Sequence, residues 1–149
     1  MHPSDSPVAA PAAVAVEDVL ETCLYAEDLD AAEAFYAGVL GLPVFAREPG
    51  RHLFLRCGHG MLLIFNAART ATAAGAVGGV PVPVHGTSGP GHVCLRIAES
   101  GLSDWRRQLT AAGVPVEAEI HWPRGGASLY LRDPAGNSVE LAPGRIWNL

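Results

Sequence analysis

The second half of the sequence repeats the pattern of the first, and this repeat restricts the fold more than any other feature of the chain. Glu21-Thr22-Cys23-Leu24 aligns with His92-Val93-Cys94-Leu95 at an offset of 71, and Gly41-Leu42-Pro43-Val44 with Gly113-Val114-Pro115-Val116 at 72. Phe54-Leu55-Arg56 then meets Tyr130-Leu131-Arg132 at 76. The offset grows because the second copy carries a longer loop, His121 to Gly126, where the first has Glu48-Pro49-Gly50. Continued without a gap, the last offset sets Gly60 on Gly136 and Ile64 on Glu140.

Each copy reads as a strand, a helix and three further strands, which predicts an α+β chain of two paired βαβββ modules. In the first copy, residues 20–26 alternate as a strand. Asp28 then precedes a helix over 29–40, with Leu29, Ala32, Phe35, Tyr36 and Leu40 on one stripe, and Gly41 stops it as a C-cap. Strands are predicted near 43–47, 52–57 and 61–66. The second copy gives a strand at 91–97, a helix at 101–112 ending before Gly113, and strands near 114–120, 127–132 and 137–142. Asp133-Pro134-Ala135-Gly136-Asn137 is a turn by composition and makes a hairpin of the last two. The expected units are a disordered leader at 1–16, modules at 17–66 and 91–143, a linker or lid at 67–90 rich in Ala, Gly, Pro and Val, and a tail at 144–149.

At 149 residues with 49% hydrophobic content, the chain can build its own core. Fifteen acidic against ten basic residues give a net charge of −5, which disfavours nucleic acid or an anionic membrane as partner and favours a small molecule. Three cysteines with no CxxC spacing fit reduced thiols in the cytoplasm. No apolar run has the length of a membrane span, and the apolar stretch around Pro11 has no basic residue before it, unlike a secretory signal.

Strand alternation separates two sets of side chains. Thr22, Leu24 and Ala26, like Val93, Leu95 and Ile97, are apolar enough to face the helices. Glu21 and His92 occupy equivalent points on the opposite face, and Glu140, alternating with Val139 and Leu141, joins them. A carboxylate, an imidazole and a second carboxylate suit a divalent ion such as zinc, manganese, nickel or iron. Taken singly, each has an ordinary role as a solvated carboxylate or a core histidine; their coincidence is the signal. Symmetry places a fourth position at Ile64, which cannot coordinate, so the site keeps room for water or substrate. Tyr130 and Arg96 share the phase of this face and are expected to fix an anionic or phenolic substrate, with Arg96 equally able to neutralise Glu21 or Glu140. Cys23 and Cys94 line the same face, and Trp122 overhangs its mouth. His52, His59 and His85 show no partner spacing.

The segment Glu21 to Leu29, Phe35-Tyr36, Val39-Leu40-Gly41-Leu42, Gly91-His92-Val93, Gly113 to Val116 and Leu129 to Leu141 together resemble the vicinal oxygen chelate superfamily. That group contains glyoxalase I, bleomycin-resistance proteins, fosfomycin-resistance transferases and extradiol dioxygenases. The resemblance implies an eight-stranded, cup-shaped half-barrel of mixed sheet, with helices on its outer face and a metal or ligand inside. It places the usual metal positions on Glu21, His92 and Glu140 and the fourth, used in glyoxalase-like members, on Ile64. Two departures stand out: Glu21 where a His is usual, and Ile64 where those members carry a carboxylate.

Two functions follow as expectations. One is a metal-dependent enzyme that binds vicinal oxygens of its substrate, with Glu140 or Glu21 exchanging between ligand and base. The other is a metal-free protein of the bleomycin-resistance type that sequesters a natural product. A homodimer is expected, because each module leaves one sheet face uncovered. The 67–90 connection is long enough for the modules to pair within a chain or between chains.

Overall fold

The computed structural model describes residues 14, 16–72 and 75–149. The predicted leader therefore lies almost wholly outside the described residues. Strand β1 (Glu21–Tyr25) leads into helix α1 (Leu29–Glu33), which widens into a π-helical turn at Ala34–Val39 and is followed by β2 (Val44–Glu48), β3 (His52–Cys57) and β4 (Gly60–Phe65). A short helix α2 (Ala67–Thr70) and a two-residue hairpin, β5 (Ala76–Val77) and β6 (Val80–Pro81), occupy the connection. The second module repeats the order with β7 (His92–Arg96), α3 (Leu102–Ala111), β8 (Ala118–His121), β9 (Ala127–Arg132) and β10 (Ser138–Ala142), and a 3₁₀ turn at Gly144–Trp147 closes the chain.

Both modules have the same sheet, ordered β1-β4-β3-β2 and β7-β10-β9-β8, with the first pair parallel and the others antiparallel. The α+β pair of βαβββ modules is as predicted. The eight strands do not make one continuous sheet: within a single chain they form two four-stranded sheets with no backbone ladder between them. β8 also starts later than predicted: its ladder with β9 begins at Ala118, and Val114 to Glu117 lies outside any strand.

The alternation places the apolar set as expected. Leu24, Ala26, Leu53, Leu55, Leu62 and Ile64 of the first sheet join Leu95, Ile97, Leu129, Leu131, Val139 and Leu141 of the second, and Phe35, Tyr36 and Leu109 from the helices, in one buried cluster. Asp28 caps α1 by accepting the Ala31 N–H at 2.9 Å, one of the donors that a helix start leaves without an intrahelical partner. The π-helical turn, closed by the Leu40 N–H on the Phe35 carbonyl, lets the consecutive Phe35 and Tyr36 both turn inward. Gly41 and Gly113 follow the two helices at φ of 77° and 69°, a left-handed conformation that glycine adopts without a Cβ clash.

The two modules are also joined by polar groups. The buried Asp133 carboxylate accepts the Tyr36 hydroxyl at 2.7 Å, the Asn137 side-chain amide at 2.8 Å, and the backbone N–H groups of Ala135 and Asn137. Asn137 then donates to the Tyr25 carbonyl of the first module and accepts from the Gly91 N–H. Burial together with the adjacent Asp133 charge raises the Tyr36 phenol well above its ordinary range, so it stays a donor.

Candidate functional site

β7, β9 and β10 place His92, Cys94, Ser128, Tyr130, Ser138 and Glu140 on the sheet face turned away from the core, since Ser138 pairs with His92, and Glu140 with both Cys94 and Tyr130. Glu140 is only 5% exposed, and a buried carboxylate needs donors. Ser128 supplies one, its hydroxyl donating to Oε1 at 2.5 Å while accepting the Trp122 indole N–H at 2.8 Å. Tyr130, stacked nearly parallel to the His92 ring, has its phenol pKa raised by burial and by the Glu140 charge. Burial and the same carboxylate push the Cys94 thiol up to about 12.

His92 is the informative member. Its Nδ1 lies 3.1 Å from the Ser138 carbonyl, which can only accept, and 3.1 Å from the Ser138 hydroxyl, which can donate or accept; the carbonyl contact favours the tautomer with its hydrogen on Nδ1. In that tautomer Nε2 presents a lone pair to Glu140 Oε2 at 3.4 Å. A proton or a metal ion between the two would then satisfy both, and an imidazole oriented through its other nitrogen is the usual preparation for a metal.

Glu21, the third expected ligand, is exposed on the corresponding face of the other sheet. Among the described residues no three His, Cys, Asp or Glu side chains are arranged to hold a metal ion. His92 and Glu140 thus fit two positions of such a site, and a single chain does not bring Glu21 to them.

The face that carries Glu21 opens into a cleft of about 710 Å³. Register divides the sheet face beneath it into three rows. Glu21, Met61 and Arg56 form the first, Cys23, Leu63 and Phe54 the second, and Tyr25, Phe65 and His52 the third. Arg56 lies over the Phe45 ring at 4.6 Å. His52 stacks on Phe54, and its imidazole pKa is lowered by burial.

Ile64 is not in this cleft. It pairs with Leu24 in the core and is fully buried, on the side of the sheet that packs against the helices, so it neither lines the site nor occupies its fourth position. Leu63, beside Cys23, is the residue that corresponds to Glu140 beside Cys94. The symmetry-related position is still aliphatic, and the residue that fills it is one earlier. Ile64→Ala is expected to cost about 2 to 5 kcal/mol of stability and to leave metal retention unchanged. Leu63→Glu is expected to do the reverse: a less stable apoprotein that recovers its melting temperature when divalent metal is added, whereas wild type gains less. Thermal melts with and without metal check both.

Arg96 also departs from expectation. Among the described residues it forms no ion pair with Glu21 or Glu140, and its guanidinium lies against the backbone of Gly144 in the C-terminal turn. Trp122 reaches the site through its indole hydrogen bond to Ser128. Cys23 lines the first-module cleft, as its phase predicts. The residues that sequence reasoning passed over are Ser128, Ser138 and His85. The first two were legible in principle, being two positions from Tyr130 and Glu140 on their strands. His85 was not, because the connection brings it back onto β1, where Tyr25 Oη and His85 Nδ1 are 2.7 Å apart.

Two βαβββ modules packed on one core, each with one sheet face turned outward, define a paired-module protein of the vicinal oxygen chelate class. The chain belongs to the Glyoxalase/Bleomycin resistance protein/Dioxygenase superfamily, whose model matches residues 16–141. It is similar to a lactoylglutathione lyase from Agrobacterium tumefaciens, at 41% identity and a TM-score of 0.83 over 91% of this chain and 99% of that one. A glyoxalase/bleomycin resistance protein/dioxygenase from Nocardioides shares the fold at 23% identity and a TM-score of 0.63, over 87% of this chain and 85% of that one. No curated protein matches the chain. Among the described residues no helix is long and apolar enough to cross a membrane.

Proposed function

We propose that the protein is a metal-dependent enzyme, cytoplasmic and homodimeric, that binds two adjacent oxygens of a small substrate at a divalent ion held by His92 and Glu140 of one chain and the partner subunit's Glu21. The observation that carries this reading is His92 Nε2 facing the Glu140 carboxylate at 3.4 Å, with the ring oriented through Nδ1 on Ser138. Exposed apolar side chains support the dimer: Leu20, Phe45, Ile120 and Val82 lie bare on and around the two outer faces, a surface that a second copy would cover.

A metal bound there would supply Lewis acidity to the substrate oxygens. The chain's own residues do the rest. Ser128 holds Oε1 of Glu140, leaving Oε2 turned toward His92, and the Ser138 carbonyl holds the ring that opposes it. Tyr130, kept protonated, can donate a hydrogen bond to an oxygen that gains negative charge. Glu21, exposed and without a hydrogen bond to His92 or Glu140 in its own chain, is free to act as base if the ion keeps the other two. The similarity to a lactoylglutathione lyase makes that activity the first to assay. The aliphatic Leu63 removes both a ligand and a base, so ordinary activity of that kind is expected to be weak. Purified protein dialysed after exposure to zinc, manganese, nickel or iron is expected to retain close to one equivalent per chain, and His92→Ala almost none. Wild type with well under one equivalent would favour the metal-free binding protein instead.

A further inference from the structure

At the far end of the first-module cleft from Glu21, Tyr25 and His85 form a polar pair in apolar surroundings. The Tyr25 hydroxyl is 2.7 Å from His85 Nδ1, and the His85 ring stands edge-on to Phe65 at 4.7 Å between centroids. The His85 backbone N–H is fixed to the Thr70 carbonyl, so the connecting segment holds this ring over the sheet. Neither residue packs into the core cluster, and both line the cleft.

We propose that this pair recognises the hydroxyl of an elongated aromatic ligand whose acidic other end lies at Arg56, across Met61 from Glu21. The inference rests on the cleft being the substrate site and on none of its metal chemistry. Three features point to the ligand class. The middle of the cleft, between Phe54, Phe65 and Leu63, offers ring edges and methyl groups to a flat apolar body. The first and third rows are four residues apart on β1, about 13 Å at the usual rise per residue, which suits two linked rings. A phenol bonded to an imidazole keeps one further hydrogen-bonding site, and the tautomer of the imidazole decides whether the pair donates or accepts there. A hydroxyl can do both, so it is satisfied in either state. Burial, with the neighbouring Cys23, raises the Tyr25 pKa, so the phenol keeps its proton. Arg56, over the Phe45 ring, places a fixed positive charge at the opposite end, suited to an acidic group.

The test compares 4′-hydroxybiphenyl-4-carboxylate with biphenyl-4-carboxylate by calorimetry on the full chain in excess chelator. The hydroxylated compound is expected to bind about tenfold more tightly, the difference that one well-placed hydrogen bond supplies. Tyr25→Phe, which keeps the ring, and His85→Leu should each reduce that ratio to near one with the melting temperature of the fold retained. Arg56→Met should weaken both compounds alike and preserve the ratio. Equal affinities for the two compounds in wild type, no binding of either, or an undiminished ratio in Tyr25→Phe would overturn the proposal. Because chelator is present throughout, a protein that retains no metal yet shows the preference would sink the metal reading and leave this one standing.

Discussion

Mixing Glu21→Ala and His92→Ala chains, each expected to retain little metal alone, is expected to restore binding to about one quarter of the wild-type capacity after unfolding and refolding together. Random assortment makes half of the dimers mixed. In a mixed dimer one site combines the intact Glu21 of the His92→Ala chain with the intact His92 and Glu140 of the Glu21-substituted chain, and the second site carries both defects. The expectation follows from the position of Glu21, which lies on the outer face of its own sheet, while His92 and Glu140 face each other across 3.4 Å on the other sheet without it. Sites built within one chain would give no restoration at any mixing ratio. Light scattering on the same samples should give a dimer mass for wild type, and a monomer at micromolar concentration would count against the arrangement outright.

The second large effect concerns stability. Asp133→Ala is expected to lower it by about 2 to 4 kcal/mol, because the Tyr36 hydroxyl and the Asn137 amide would remain buried with their acceptor removed. For a chain of this size that is a fall of roughly 5 to 15 °C in melting temperature. Tyr36→Phe removes one donor and leaves three, so it should cost only about 1 kcal/mol. If Asp133→Ala melts within 2 °C of wild type, roughly what a loss of half a kcal/mol would give, the carboxylate is not the tie between the modules that its hydrogen bonds indicate. The same substitution should also loosen His92 indirectly, since Asn137 fixes the Gly91 N–H immediately before it.

These two predictions draw on different levels of information. The repeat, the alternation of each strand and the turn composition were legible along the chain, because they depend on neighbours a few residues apart. They put Leu24, Leu95 and Leu141 in the core and turned Glu21, His92 and Glu140 away from it. The face of position 64 was misjudged by a single residue. Arg56 pairs with Met61 across four intervening residues, whereas Arg132 pairs with Ser138 across five, so the Asp133 to Asn137 turn adds one residue and the offset becomes 77. A one-residue change in a strand register exchanges its faces, and an alignment without a gap cannot detect it.

The sequence by itself determined two βαβββ modules, their inward and outward faces, and the residue types available for a site. Only the tertiary structure decided which faces come together. The helices and inner sheet faces of both modules merge into one core, held by Tyr36 on Asp133 across 97 positions of sequence, and that leaves Glu21 and the His92–Glu140 pair on separate outer faces. The physical reason is that faces are set by local periodicity, whereas the partner of each face is set by burial and hydrogen bonding between residues far apart in the chain, which no local pattern records.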